Sequence, residues 1–340
     1  MRHLVAALLI AAALLGAPSA GAREITDMTG RHVTIPDKIT KIYSASYPLT
    51  LLFYAFAPDL LVAANFPLGE EQKPFVPPQV ANLPAIGAAM GQGRGMNPEE
   101  VLALHPDLIV AWVDPFGDTS HTTQQFDKTG LPIVFIRMNT LADYPAALQF
   151  LGELFDRPQR AAILGDYISN AIAKVTGTVA TIPPEARVNF YYAESRDGLA
   201  TECDKSFHVE AIAVAGGENV EHCSQTTHFG MEKVTLEEII AAQPAIILSQ
   251  DHRFADTVSL TPQWRNVEAV KTGHIVNIPQ LPFNWLDRPP SFMRALGIQW
   301  LANLFYPDLF PMDVKAETRN FHHLFFGVEL SDQDVDRILH

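Results

Sequence analysis

Residues 97–110 read Asn-Pro-Glu-Glu-Val-Leu-Ala-Leu-His-Pro-Asp-Leu-Ile-Val, and residues 235–248 read Thr-Leu-Glu-Glu-Ile-Ile-Ala-Ala-Gln-Pro-Ala-Ile-Ile-Leu. Laid over one another, Glu99 and Glu100 fall on Glu237 and Glu238, Pro106 falls on Pro244, and an apolar strand-like run follows each proline. A chain that repeats a helix–strand unit this far apart is expected to form two similar α/β lobes. A cleft between two lobes is a natural place to hold a ligand.

The repeat extends outward from these segments. Lys128-Thr129-Gly130 precedes the apolar run Ile133–Ile136, and Lys271-Thr272-Gly273 precedes Ile275–Ile278. Upstream, Lys41–Ala45 and Val188–Ala193 read as strands rich in β-branched or aromatic residues. Each half is therefore strand, helix, strand, helix, strand, which implies a parallel sheet covered by helices. Between the halves, Leu148, Leu151, Leu154 and Phe155, then Ile168, Ile172 and Val175, recur at helical spacing. This stretch predicts a helical spine, kinked or restarted at Arg157-Pro158 because proline removes a backbone donor, and ended by Ile182-Pro183-Pro184. A last helix is expected over Ser291–Tyr306, stopped by Pro307. The expected division is a signal segment over 1–22, a first lobe over 23–140, a spine over 141–182, a second lobe over 183–310 and a helical tail over 311–340.

The first residues have the composition of an export signal. Arg2 and His3 precede the apolar run Leu4–Leu15, and Ala20-Gly21-Ala22 fits a small-residue cleavage site. The run is shorter than the roughly 20 residues a spanning helix needs. No cysteine follows the site to take a lipid, so a periplasmic protein cleaved after Ala22, without an anchor, is expected. The net charge of −14 argues against nucleic acid as a partner. In an oxidising compartment the two cysteines, Cys203 and Cys223, are expected to form a disulfide.

The helix starts separate the paired acids. Asn97 suits an N-cap, Pro98 the first helical position, and Glu100 a capping-box acid; Thr235 and Glu238 repeat the arrangement. Glu99 and Glu237 are left in the first turn without a capping duty. One equivalent acid per lobe suggests a two-point dock for basic residues of a partner.

Gly95-Met96-Asn97-Pro98-Glu99 and Pro106-Asp107-Leu108-Ile109-Val110-Ala111-Trp112 resemble the periplasmic binding proteins for iron chelates and cobalamin, the helical-spine class that serves ABC importers. Ala215-Gly216-Gly217-Glu218-Asn219-Val220 and Val234–Ser249 resemble that family's second-lobe signatures. The resemblance implies two Rossmann-like lobes joined by a long helical spine. It also implies that Glu99 and Glu237 meet arginines of the permease dimer, and that the chain acts as a monomer.

Ligands in open α/β sheets lie beyond the carboxyl ends of the strands. Trp112 closes one strand, Tyr47 follows another, and Arg137 follows a third, so all three are candidate cleft residues. The resemblance adds to the case for Trp112, because cobalamin-binding members carry a ligand-facing tryptophan there. In the second lobe, Asn284-Trp285-Leu286-Asp287-Arg288-Pro289-Pro290-Ser291 is the most telling loop. Its prolines are expected to hold Arg288 extended, and Ser291 to cap the following helix. An aromatic beside a guanidinium suits a ligand with a planar face and anionic groups. Asn284 stands where cobalamin-binding members have an acid. Glu194 and His252 follow two further strands and complete the expected ligand set.

His208-Val209-Glu210 imitates the His-x-Glu of zinc deaminases, but Cys203 and Cys223 are too far apart for the accompanying Pro-Cys-x-x-Cys. There is no Gly-x-Ser-x-Gly elbow and no phosphate loop, and Gly91-x-Gly-x-Gly95 is not a dinucleotide fingerprint. The leading expectation is a binding protein, not an enzyme, that delivers a ferric siderophore to an ABC importer. Cobalamin, haem, a nickel chelate or molybdate are the alternative solutes. An exported metal-dependent hydrolase using Glu194, His208 and His252 is the alternative of another class.

Overall fold

A computed structural model describes residues 21–89, 95–113, 119–226 and 229–340. The expected signal segment up to residue 20, the glycine-rich stretch from residue 90 to 94, and His228 lie outside the described residues.

Two parallel sheets form the frame. The first has the order β3 (Ile42–Ser44), β4 (Leu108–Trp112), β5 (Ile133–Ile136). The second has the order β11 (Ile275–Asn277), β10 (Ile246–Ser249), β6 (Val188–Ala193), β8 (Gly217–Asn219). In each lobe the strand that follows the repeated helix, β4 or β10, lies between two parallel neighbours. Every residue of β4, β5 and β10 is buried, as expected of parallel strands covered on both faces.

The repeat is conformational as well as textual. The helices Pro98–Ala103 and Leu236–Ala242 are followed by His105 at φ 52° and Gln243 at φ 46°. Both are left-handed non-glycine residues immediately before the prolines that lead into β4 and β10. A left-handed residue turns the chain out of the helix, and the proline then favours an extended start.

The spine consists of two helices, Tyr144–Leu154 and Pro158–Val179, the second running 22 residues. Arg160 ties it to both neighbours. Its guanidinium donates to the Ala55 carbonyl at 2.7 Å and to the Leu324 and Phe325 carbonyls at 2.8 and 3.0 Å. One contiguous apolar core runs from Phe53 and Leu148 through Leu164 and Ile168 to Trp285 and Leu296. The lobes therefore share packing through the spine rather than hanging on a loose linker. The tail helix Val314–Phe326 docks on this core, with Phe321 and Phe325 stacked on Phe292 at 6.0 and 5.1 Å.

Several elements were not read from the sequence, two of them in the first lobe. Helix Tyr47–Phe56 is buried at every position after Tyr47, so it shows no helical alternation. The antiparallel hairpin β1 (Ala22–Thr26) and β2 (His32–Pro36) lies before the first parallel strand. The helix expected from Ser291 begins at Arg294, and Ser291 Oγ accepts the Met293 N–H at 3.3 Å. No described helix is long and apolar enough to cross a membrane.

Candidate functional site

The carboxyl ends of the second sheet face the first lobe. The loop after β11 reaches across, where Pro282 O accepts from Gln72 Nε2 at 2.7 Å and Phe283 packs 5.9 Å from Tyr54. At these strand ends an open depression of about 320 Å³ is lined by Glu194, Gln250, Asp251, His252, Arg253 and Gln280. Gln250 is its fixed point. Gln250 Oε1 accepts from Asn284 at 2.8 Å and from the Tyr192 hydroxyl at 3.1 Å, and its carbonyl accepts from Gln280 at 2.5 Å. Asp251 caps the helix His252–Val258 by accepting the Arg253 N–H at 2.8 Å, which sets His252 and Arg253 at the rim.

Beside this depression lies a buried charge cluster. Arg288 Nε donates to Glu194 at 2.7 Å, its Nη2 to Glu202 at 2.5 Å, and its Nη1 to the Phe229 carbonyl at 2.9 Å. Asp287 accepts from Arg294 at 3.2 Å and lies 2.6 Å from His208 Nδ1, while Arg294 also donates to Glu210 at 2.8 Å. The Arg288 side chain is 22% exposed, whereas Glu194, Glu202 and Asp287 are at most 1% exposed. Burial pushes the Glu194 carboxyl well above the ordinary carboxylate range, opposed by Arg288 and reinforced by Glu202.

Arg288 is not extended, as its prolines suggested: it sits at φ 60°, in the left-handed region. Bonds to two carboxylates and a carbonyl outweigh a local cost of roughly 1–2 kcal/mol. Trp285 is also corrected. Its side chain is fully buried and meets Trp300 edge-on at 6.1 Å, so it presents no face to a cleft. Gly297 makes this packing possible, because a Cβ there would lie 2.3 Å from the Trp285 carbonyl. Asn284 shapes the loop, its Oδ1 accepting the Leu286 and Asp287 N–H groups at 2.8 and 3.0 Å.

On the first-lobe side, Trp112 is 9% exposed and its Nε1 donates to Asn139 at 2.7 Å. Its backbone N–H donates to Ser46 Oγ at 3.0 Å. Tyr47 packs edge-on against Phe66 at 4.8 Å, and burial pushes its phenol up to about 12. Arg137 is exposed. The structure gathers Glu194, Asn284 and Arg288 with His252 at one set of strand ends, and places Tyr47, Trp112 and Arg137 at the other. Sequence reasoning missed Glu202 and Gln250, which no motif marks.

The hydrolase alternative is not assembled. Glu194 is engaged by Arg288 and His208 by Asp287, and no group of three potential ligands that could hold a metal occurs among the described residues. Cys203 and Cys223 are joined as a disulfide.

At the helix starts, Thr235 and Glu238 form a reciprocal capping box. The first lobe uses a different cap, in which Asn97 Oδ1 accepts the Glu99 N–H at 3.0 Å. Glu99 and Glu237 are both exposed, and among the described residues neither side chain is held in a hydrogen bond or ion pair.

Two parallel-sheet lobes on a helical spine, with polar groups converging at strand ends, define a solute-binding protein. The sequence profile of the periplasmic binding protein family matches residues 50–281, and the chain belongs to that family. It is similar to an ABC transporter solute-binding protein from Sulfurospirillum deleyianum, with 33% identity, TM-score 0.87, and coverage of 93% of this chain and 98% of that one. The molybdate-binding protein MolA of Haemophilus influenzae is 26% identical over 93% of this chain and 94% of its own length. A vitamin B12-binding protein of Vibrio parahaemolyticus is 26% identical over 60% of this chain and 70% of its own length. These relatives are binding proteins, and this chain is one rather than an enzyme.

Proposed function

We propose that the protein is exported to the periplasm, captures a metal-centred solute bearing anionic oxygens, and delivers it to an ABC importer. The observation that carries this reading is the end-to-end similarity to a molybdate-binding protein. A molybdate-type oxyanion is therefore placed first. A corrinoid is the second reading, favoured by the vitamin B12-binding relative. The ferric siderophore expected from the sequence stands behind both. Arg288, partly exposed at the strand ends, supplies the cation, with Gln250, His252 and Arg253 around it and Tyr47, Trp112 and Arg137 on the opposite lobe. Glu99 and Glu237 are the proposed contacts with basic residues of the permease dimer.

Isothermal titration of purified protein with sodium molybdate, cyanocobalamin, haemin and a ferric siderophore tests the reading. Tight binding of molybdate or the corrinoid is expected, without turnover. Failure to bind any of the four would overturn it.

A further inference from the structure

Two carboxyl groups share one edge of the Arg288 guanidinium. Glu194, at the end of β6, takes Nε, and Glu202, just beyond β7 (Ala200–Thr201), takes Nη2. Nε and Nη2 are adjacent donors, so the two carboxyls lie side by side. Glu202 is well supplied with further donors. Ser206 donates to its Oε2 at 2.7 Å and the Met231 N–H to its Oε1 at 2.9 Å. Glu194 Oε2 is buried and has no hydrogen-bond donor among the described residues. A buried carboxylate oxygen without a donor is costly. A proton on Glu194 Oε2, given to the neighbouring Glu202, removes that cost. Two carboxyls held on adjacent nitrogens of one guanidinium disfavour each other's ionisation.

The surroundings set the charge. Facing the pair are Tyr192 from β6, Asp287 from the loop after β11, Arg294 and Glu210 behind Asp287, and His208 against Asp287. Asp251, His252 and Arg253 lie across the depression. Four carboxyl groups thus meet two guanidinium groups, so the cluster offers an incoming anion no surplus positive charge. Arg288 is nevertheless more exposed than Glu194, Glu202, Asp287 or Arg294. Glu194 lines the depression and the partly exposed Arg288 is bonded to it, so a solute at the strand ends reaches the acid and its guanidinium partner together.

We propose that Glu194 and Glu202 are a proton-sharing acid pair that holds Arg288 in reserve, and that an anionic oxygen of the solute takes the guanidinium as the protein takes up one proton. Before binding, one proton lies between the two carboxyls, and their single negative charge is balanced by Arg288. On binding, Arg288 balances the solute oxygen instead. The pair, left without its cation in a buried site, takes a second proton from solvent and becomes neutral. Glu202 is here a positioning residue, acting on the solute through Arg288. The anionic solute rests on the proposed function; the shared proton does not.

Two measurements test it on the full chain. In ligand-free protein, ¹³C-carboxyl NMR should show one glutamate titrating far above the ordinary range, and this signal should be lost in Glu202→Gln. Glutamates that all titrate normally in the wild type would overturn the inference. Titration with sodium molybdate at pH 5.5, 6.5 and 7.5 should show affinity rising about tenfold per unit fall in pH, the slope for one linked proton. In the double variant Glu194→Gln with Glu202→Gln, which leaves Arg288 no acid partner in the pair to take the proton, the slope should flatten, with affinity at pH 7.5 equal to or above that of the wild type. A flat wild-type profile, or the same slope in the variant, overturns the linkage. If molybdate fails to bind at any pH while cyanocobalamin or a ferric siderophore binds in the same buffers, the inference falls and the carrier function stands. Should Glu202→Gln not fold, as judged by circular dichroism, Glu194→Gln serves in the NMR measurement; should the double variant not fold, the wild-type slope alone decides the linkage.

Discussion

His322 makes the fold's stability depend on pH in a way that can be isolated. It is fully buried on the tail helix, within an aromatic shell of Phe75, Phe321 and Phe326 at 6.5, 6.0 and 5.6 Å. Its Nδ1 contacts the Thr318 carbonyl at 2.8 Å. Burial lowers its pKa from 6.5 to about 4. The unfolded chain therefore binds a proton that the folded protein refuses between pH 6.5 and 4, and stability falls as pH drops through that window. At 1.36 kcal/mol per unit, the loss is about 2 kcal/mol at pH 5 and about 3 kcal/mol near pH 4, relative to pH 7.5. His322→Phe fits the same aromatic shell and does not titrate. Urea unfolding of both proteins at pH 7.5, 6, 5 and 4.5 should show a wild-type stability that falls relative to the variant by these amounts. Curves that stay parallel across the range would refute the reasoning, because the shared background of other groups cancels in the difference. Glu194 contributes with the opposite sign: its raised carboxyl favours the folded state as pH falls, which is why the comparison must be with the variant and not with a single pH profile.

Other outcomes follow from the same geometry. Glu99→Arg combined with Glu237→Arg should abolish solute uptake in cells while leaving affinity in solution unchanged; a collapse of affinity would place the acids in the cleft or the fold. Cys203→Ala with Cys223→Ala opens a loop of sequence separation 20 and should cost about 3 kcal/mol, read as a lowered midpoint in urea. Gly297→Ala forces a methyl to within 2.3 Å of the Trp285 carbonyl. It should destabilise by about 2 kcal/mol and displace the Arg288 loop, so that solute affinity falls with stability.

The frame was legible because it is locally encoded. Apolar runs without alternation marked β4, β5 and β10 to within a residue, a β-branched and aromatic run marked β6, and Pro106 and Pro244 fixed where β4 and β10 begin. Arg157-Pro158 divided the spine where the structure divides it. Helix Tyr47–Phe56 was not legible, because Leu49 to Phe56 is buried on all sides and a fully apolar helix has no period to read. The candidate site was legible only as strand ends. Arg288 was visible as a loop arginine, but its partners Glu194 and Glu202 lie 94 and 86 residues away. Nothing near Arg288 in the chain announces two acids. Trp285 was misplaced for a related reason: the loop's turn, set by Asn284, directs the indole toward Trp300.

The two lobes share a frame but not a chemistry. The repeated helices carry equivalent exposed acids, which suits a partner with two equivalent basic patches. The strand ends diverge, with an aromatic and an exposed arginine in the first lobe and a neutralised arginine among buried acids in the second. An arginine committed to two carboxylates is a poor receptor for any anion that cannot displace them. Replacing such a contact needs either a strong competing charge or a proton that neutralises the acids left behind. On the proposed proton linkage, specificity lies less in which groups line the depression than in what must be done to release Arg288, and Glu202, bonded to Arg288 Nη2, helps set that cost.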